Sequence, residues 1–268
     1  MAVALIIGVG EAVGRASAEK FAAAGYKVAV ASRTQRLDSS KFPFFQFDAA
    51  EPTHVPALFE KVHKQVGIPE VVIYNAFASP RNRLAVFDIV SPESFQKSMN
   101  VNAISAAITA HETVKGFLEL ESQGKLGSGG GTFLYTGNAL NDKPLSGLLS
   151  LAIGKSTSAA TIQYLALTAY NDKPFRFVPP FLASLLILSL AVMNRIVVLS
   201  ETGGLYFSSF YYVDERQPNG GPMYKGATAD PHADVFLQLA QDPKQGPWQY
   251  TFSKENGYTQ FPRDFPEP

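Results

Sequence analysis

Short apolar segments alternate with helical patterns along this chain, as in a parallel sheet covered by helices on both faces. Val3–Ile7 is apolar throughout, which predicts a central strand buried on both sides. Further strands are predicted at Lys27–Ala31, Phe44–Phe47, Val71–Tyr74, Thr132–Tyr135, Phe175–Phe177 and Trp248–Phe252. Helices are predicted at Ala12–Ala24, Val55–Gln65, Pro92–Leu120, Leu148–Tyr170 and His232–Leu239. The pattern predicts an α/β fold with a doubly wound parallel sheet.

The composition is that of a globular protein, with 46% hydrophobic and 17% charged residues among 268. This length suits a single domain over 1–268. The formal net charge is zero and gives no electrostatic indication of binding to nucleic acid or an anionic membrane. The chain has no cysteine and its four histidines are scattered, so we predict no disulfide and no metal site. The first strand follows no basic segment, so we expect no secretory signal and a cytoplasmic protein.

The turn between the first strand and the first helix is rich in glycine, at Gly8, Gly10 and Gly14. Glycines there let the backbone approach a pyrophosphate, which the N–H groups at the helix N-terminus then bind. The second strand is followed by Arg33, where an NAD-binding chain would carry an acidic residue for the ribose hydroxyl. Because a guanidinium pairs with the 2′-phosphate of NADP, the sequence predicts an NADP(H) site.

These motifs resemble those of the short-chain dehydrogenase/reductase family over most of the chain. Gly8–Gly14 is similar to its Thr-Gly-x3-Gly-x-Gly turn, with Ala12 in place of the middle glycine. Asp48 matches an aspartate that contacts adenine, and Asn75-Ala76-Phe77 resembles an Asn-Ala-Gly motif. Asn102 matches an asparagine that bends a helix and binds a water. The resemblance implies a three-layer α/β/α Rossmann fold with sheet order 3-2-1-4-5-6-7.

The catalytic positions depart from the family's pattern. The family reduces carbonyls with a Tyr-x3-Lys pair and a serine after the fifth strand, and its tyrosine donates the proton. Lys155 matches the lysine, but Leu151 stands at the tyrosine and only Thr136 offers a hydroxyl near the serine. The resemblance implies catalytic roles for Lys155, Asn102 and Thr136. It implies cofactor contacts from Gly8, Gly10, Gly14, Arg33, Asp48, Asn75, Ala76 and Lys155.

Two functions fit this combination. In the first, the chain is an NADP(H)-dependent oxidoreductase for a small carbonyl or alcohol. Its proton then comes from Tyr135, Tyr211, Tyr212 or a water relayed through Lys155 and Asn102. In the second, the chain is a catalytically impaired NADP(H)-binding protein that acts as a sensor or regulatory partner. General acid catalysis is worth about 10²–10⁴-fold, so an unreplaced tyrosine would leave a weak enzyme. A homo-oligomer is compatible with either function.

A hydrophobic segment at 177–209 interrupts the alternation of elements, with Arg195 and Glu201 as its only charges. A membrane anchor at 179–193 is the weaker interpretation, because this run is shorter than the roughly 20 residues of a spanning helix and opens with two prolines. If the segment belongs to the protein, it covers the sheet edge or docks on a membrane or partner.

We hypothesise that 177–209 is translated intron sequence. Joining Arg176 to Phe210 gives a continuous strand that runs into a charged turn. An Arg176 codon ending in G before the Phe177 codon supplies the GT boundary, and an AGT or AGC codon for Ser209 supplies the AG. Splicing there keeps the reading frame. A TCN codon for Ser209, or a spliced transcript that retains these codons, would contradict the hypothesis.

Overall fold

The computed structural model describes residues 1–79, 91–127, 129–143, 145–169, 208–223 and 227–261. The strands in these ranges are β1 Val3–Ile7, β2 Lys27–Ser32, β3 Phe44–Gln46, β4 Val71–Tyr74, β5 Thr132–Thr136, β6 Ser209–Glu215, β7 Gln249–Ser253 and β8 Gly257–Tyr258. The α-helices are α1 Val13–Ala23, α2 Val55–Gln65, α3 Pro92–Met99, α4 Ser105–Ser122, α5 Leu149–Tyr164 and α6 Ala229–Gln241. Strand and helix alternate along most of the chain, as predicted.

The strands form a single sheet in the order β3-β2-β1-β4-β5-β6-β7-β8. All neighbours up to β7 pair in parallel, which confirms the order and the doubly wound α/β fold implied by the resemblance. The sequence analysis missed β8, which pairs antiparallel with β7 across a tight turn with Gly257 at φ +65°. A strand of two residues is too short to show the alternation of apolar and polar positions that predicts a strand.

The sixth position in the sheet belongs to β6, which begins at Ser209. Ser209 is buried and pairs with Thr132 of β5, although the predicted insert extends to this residue. The predicted strand Phe175–Phe177 and the candidate anchor at 179–193 lie outside the described residues. No helix that the structure describes is both long and apolar enough to cross a membrane.

Two hydrophobic cores lie on opposite faces of the sheet because side chains alternate along each strand. Leu5 of β1 packs in one core with Phe59 of α2, whereas Ile6 packs in the other with Phe21 of α1. All five residues of β1 are buried, as its uninterrupted apolar run predicted. The helices therefore cover both faces and leave the carboxyl edge of the sheet for polar groups.

The helix predicted over Pro92–Leu120 is divided by a π-helical turn at Asn100–Ile104. Asn102 in this turn is fully buried, and its amide nitrogen donates to the carbonyl oxygen of Ala78 (2.7 Å) and to Ser98 Oγ (3.1 Å). Its amide oxygen accepts from the Ala78 backbone N–H at 3.1 Å. The asparagine thereby fastens the widened turn to the segment after β4.

The glycine turn after β1 is packed tightly against the end of β4. Gly8 has φ +93°, and a Cβ there would lie 2.3 Å from the backbone nitrogen of Ala76. A Cβ on Gly14 would lie 2.7 Å from the carbonyl oxygen of Gly8. Gly10 instead faces open space, with no atom within 4 Å of an added Cβ. Gly8 and Gly14 are therefore required by the packing of the fold itself.

We predict that Gly8→Ala lowers the free energy of unfolding by about 1–3 kcal/mol, because alanine is strained at this φ and collides with Ala76. Gly10→Ala is the matched control, and its stability should stay within about 0.5 kcal/mol of the parent chain. Urea denaturation without nucleotide measures both. Equal stability of the two variants would contradict the described packing.

Candidate active site

A cavity of about 450 Å³ opens where β1 lies between β2 and β4. The strand order reverses at this point, which is where open α/β sheets bind their ligands. The predicted cofactor residues that line it are Gly8, Gly10, Arg33, Asp48, Asn75 and Ala76. Gly14 lies behind this wall against the Gly8 carbonyl. The structure therefore brings the glycine turn and the ends of three strands together at one cavity.

The N-terminus of α1 faces this turn without a side-chain cap. Ala12 occupies the N-cap position, and the first turn of α1 carries no acidic residue. The positive end of the helix dipole is thus left for an anion. Asn75 braces the turn from β4, because its amide nitrogen donates to the Gly8 carbonyl oxygen at 2.7 Å. Together with the open space at Gly10, this arrangement fits a pyrophosphate.

Two arginines after β2 line the cavity, Arg33 and Arg36, and both are exposed. Arg36 Nη1 donates to Glu11 Oε1 at 3.2 Å, and Arg15 Nη2 donates to Glu11 Oε2 at 3.0 Å. Arg36 and then Arg15 lower the pKa of the Glu11 carboxyl below its usual value. The sequence analysis missed Arg36, although its place three residues after Arg33 could have indicated it.

The remaining wall of the cavity is formed after β3 and β4. Asp48 is half-buried, and its Oδ1 accepts from the backbone N–H of Ala50 at 2.9 Å, which fixes the carboxylate at the rim. Phe77, which replaces the glycine of the Asn-Ala-Gly motif, is 66% exposed and also lines the cavity. A large aromatic side chain thus lies next to Ala76, where the motif's glycine has no side chain.

Three buried tyrosines, Tyr74, Tyr135 and Tyr212, stack side by side across β4, β5 and β6. Their ring centroids are 5.8 Å and 5.5 Å apart. Their hydroxyls donate to the carbonyl oxygens of Val101, Asn102 and Asn138 at 2.6, 3.0 and 2.9 Å respectively. Burial raises the pKa of all three. Their protons are therefore held in backbone hydrogen bonds within the core.

Tyr211, another candidate proton donor, lies in the core on the opposite face of the sheet from Tyr212. Its hydroxyl donates to the Lys244 carbonyl oxygen at 3.1 Å. None of the three tyrosines considered as replacement acids, Tyr135, Tyr211 and Tyr212, lines the described cavity. Their geometry indicates a structural role.

Lys155 reaches from α5 to the end of β5. Its Nζ donates to the Thr136 carbonyl oxygen at 2.7 Å and lies 4.5 Å from the centre of the Tyr135 ring. The side chain is 4% exposed, and this burial lowers the pKa of Lys155 to about 7, against an opposing effect from Asp214. Thr136 Oγ1 is buried and has no hydrogen-bond partner among the described residues. Lys155 is thus held by the main chain of Thr136 and by the ring of Tyr135, while the Thr136 hydroxyl itself stays buried and unpaired.

Asn102 is joined to this pair through Tyr135, whose hydroxyl donates to the Asn102 carbonyl oxygen. That carbonyl also accepts from Ser158 Oγ of α5 at 2.6 Å. Leu151 lies one helical turn before Lys155 and is buried, so an apolar side chain occupies the position of the family's tyrosine. The structure therefore connects all three predicted catalytic residues, although none of them lines the cavity beside the glycine turn.

The sequence analysis missed a buried charged group at the end of β6. Asp214 Oδ2 accepts from Arg216 Nε at 2.5 Å, and Arg216 Nη2 donates to Asp142 Oδ1 at 2.8 Å. Asp214 and Arg216 are almost completely buried. The signal that could have found them is the sequence Asp214-Glu215-Arg216 at the end of an otherwise apolar strand.

Comparison with solved structures supports this fold. A 3-ketoacyl-(acyl-carrier-protein) reductase from Brucella melitensis, complexed with NADH, matches with a TM-score of 0.64 and 17% identity over 94% of this chain and 96% of that chain. A short-chain dehydrogenase/reductase from Serratia marcescens matches with a TM-score of 0.61 and 13% identity over 94% and 95% of the two chains. At these identities the likeness concerns the fold.

Sequence comparison identifies the family. The family model described as short chain dehydrogenase matches residues 2–127. A short chain dehydrogenase/reductase from Cryptosporiopsis sp. (strain 8999) is 31% identical over 274 residues, which cover 98% of this chain and 96% of that protein. The chain therefore belongs to the short-chain dehydrogenase/reductase family, oxidoreductases that bind a nicotinamide dinucleotide and act on small molecules.

Proposed function

We propose that this chain is an NADP(H)-dependent oxidoreductase that interconverts a small carbonyl compound and its alcohol, with Lys155 as the proton-carrying group. The observation that carries the proposal is the buried Lys155 ammonium, which donates to the carbonyl oxygen of Thr136. Both lie at the carboxyl edge of the sheet, on the side where the nucleotide cavity opens.

The residues that would hold the cofactor follow from the cavity. The glycine turn and the uncapped start of α1 suit the pyrophosphate, and Asp48 suits the adenine. Asn75 and Ala76 line the same cavity beside the glycine turn. Lys155, which lies outside that cavity wall, suits the ribose of the nicotinamide. At the end of β2, Arg33 and Arg36 provide two cations for a 2′-phosphate, where an NAD-binding site would have an acidic residue.

In the direction of reduction, a reduced nicotinamide held there would supply the hydride for the carbonyl carbon. The oxygen of that carbonyl must also take up a proton. The Lys155 ammonium holds the proton that this oxygen takes up, and a pKa near 7 suits proton transfer at neutral pH. The Thr136 carbonyl and the Tyr135 ring hold the ammonium in place, and Leu151 excludes water beside it.

The choice of NADP(H) is tested by removing the two cations. Arg33→Ala and Arg36→Ala are each expected to weaken NADPH binding by about tenfold to a hundredfold, because each removes a charge-assisted hydrogen bond to the 2′-phosphate. NADH binding should change little, and fluorescence titration measures both. Lys41→Ala, which removes an exposed cation outside the cavity wall, is the control for net charge. Equal losses for NADPH and NADH would contradict the assignment.

The role of Lys155 is tested by following NADPH oxidation with a panel of aldehydes and ketones. Lys155→Met should lower the rate of reduction by about 10²-fold or more, whereas Lys64→Met on the surface of α2 should leave it unchanged. Reduction requires the ammonium, so its rate should fall as pH rises through the pKa of Lys155, near 7 in the free enzyme. Oxidation of the alcohol should show the opposite dependence. A Lys155→Met variant with the parent's rate and pH profile would contradict the mechanism.

A further inference from the structure

A row of charged groups, Asp214, Arg216 and Asp142, connects β6 with the segment after β5. Arg216 is 1% exposed and donates through Nε to Asp214 Oδ2, through Nη2 to Asp142 Oδ1, and through Nη1 to the Gly220 carbonyl oxygen. Asp142 lies at the end of a short 3₁₀ helix that begins three residues after β5. Burying these charges is costly unless each is paired, so their pairing fixes the positions of both segments.

One oxygen of this row is not paired. Asp214 Oδ1 is buried and has no hydrogen-bond partner among the described residues. Asp214 lies two residues after Tyr212 in β6, so its side chain is on the same face of the sheet as Tyr212. Tyr212 stacks on the Tyr135 ring that Lys155 contacts. The Asp214 carboxylate and the Lys155 ammonium therefore share this face, and each favours the charged form of the other. Burial acts in the opposite sense on both, and it raises the pKa of Asp214 to about 7. The charge of each group therefore depends on its neighbour.

We propose that Asp214 is a positioning residue for the reaction proposed above, and that its carboxylate keeps Lys155 protonated in the pH range where the lysine acts as an acid. Arg216, held by Asp142, keeps the Asp214 carboxylate ionised and in place. The inference rests on the proposed function of Lys155, but the electrostatic coupling is measurable without cofactor or substrate.

Asp214 is the charged group that acts on Lys155 among the described residues. From β5, Lys155 is faced by the Tyr135 ring, which burial keeps neutral. The helices α3 and α4 also pack against α5 but contribute no charge to Lys155 within the described part of the chain. The neighbouring carboxylate of Glu215 bonds instead to Thr228 and His232 around α6.

The sign of the effect follows from the charges. Asp214→Asn keeps the shape of the side chain and removes its negative charge, so the pKa of Lys155 should fall. Less ammonium then remains at neutral pH, and the pH at which reduction is lost should move downwards with it. Asp142→Asn removes a negative charge one arginine further away and should lower the pKa of Lys155 by a smaller amount.

The test uses the whole chain, without nucleotide, labelled with [6-¹³C]lysine. Carbon NMR between pH 5 and 10 gives the titration of each lysine, and the signal that is missing in Lys155→Met belongs to Lys155. We expect its midpoint to fall by about one pH unit or more in Asp214→Asn and by less in Asp142→Asn. In Glu215→Gln, the matched control on the adjacent residue, the midpoint should not change.

An unchanged Lys155 midpoint in Asp214→Asn overturns the proposal. If Asp214→Asn does not fold, Asp142→Asn is tested in its place, because Asp142 is partly exposed. An unchanged Lys155 midpoint in Asp142→Asn then overturns the proposal. A shifted midpoint in a protein that reduces no carbonyl with NADPH would refute the proposed function and leave the coupling standing. A shifted midpoint without a matching shift in the pH profile of reduction would refute the role of Asp214 in the reaction.

Discussion

The burial of the Lys155 ammonium is the constraint on which the carboxyl end of this sheet depends. An isolated buried charge is expensive, so the surrounding chain must supply partners. The Thr136 carbonyl and the Tyr135 ring come from β5, and the Asp214 charge comes from β6. Asp214 in turn requires Arg216. The site therefore consists of a buried lysine and a series of groups, each of which offsets the cost of burying the charge next to it.

The parallel sheet makes this compensation possible because all its strands from β1 to β7 end at the same edge. The stacked row of Tyr74, Tyr135 and Tyr212 illustrates the consequence. Their rings fill the core on one face, and their hydroxyls satisfy carbonyls where the π-helical turn at Asn100–Ile104 and the segment after β5 leave them free. Two tyrosines that the sequence offered as candidate acids, Tyr135 and Tyr212, thus help to position the lysine and its helix.

Local features were predictable from the sequence, and features that join distant segments were not. The apolar run of β1, the bounds of α2 and the glycine turn follow from patterns of a few residues, and the structure contains them. The phase of β5, which decides where Tyr135 points, depends on its neighbours in the sheet. The row of charged groups escaped prediction for a similar reason. Asp142 meets Arg216, and Asp214 acts on Lys155, only after β5, α5 and β6 have packed.

The central claim is that a bound cofactor meets Lys155, a buried lysine whose pKa lies near neutrality. Calorimetric titration of NADPH into the chain at pH 7, in two buffers of different ionisation enthalpy, measures it most directly. The anionic cofactor should favour the ammonium, so binding should take up a fraction of a proton, and Lys155→Met should abolish that uptake while still binding NADPH. Binding without proton uptake, or equal uptake in the variant, would contradict the account.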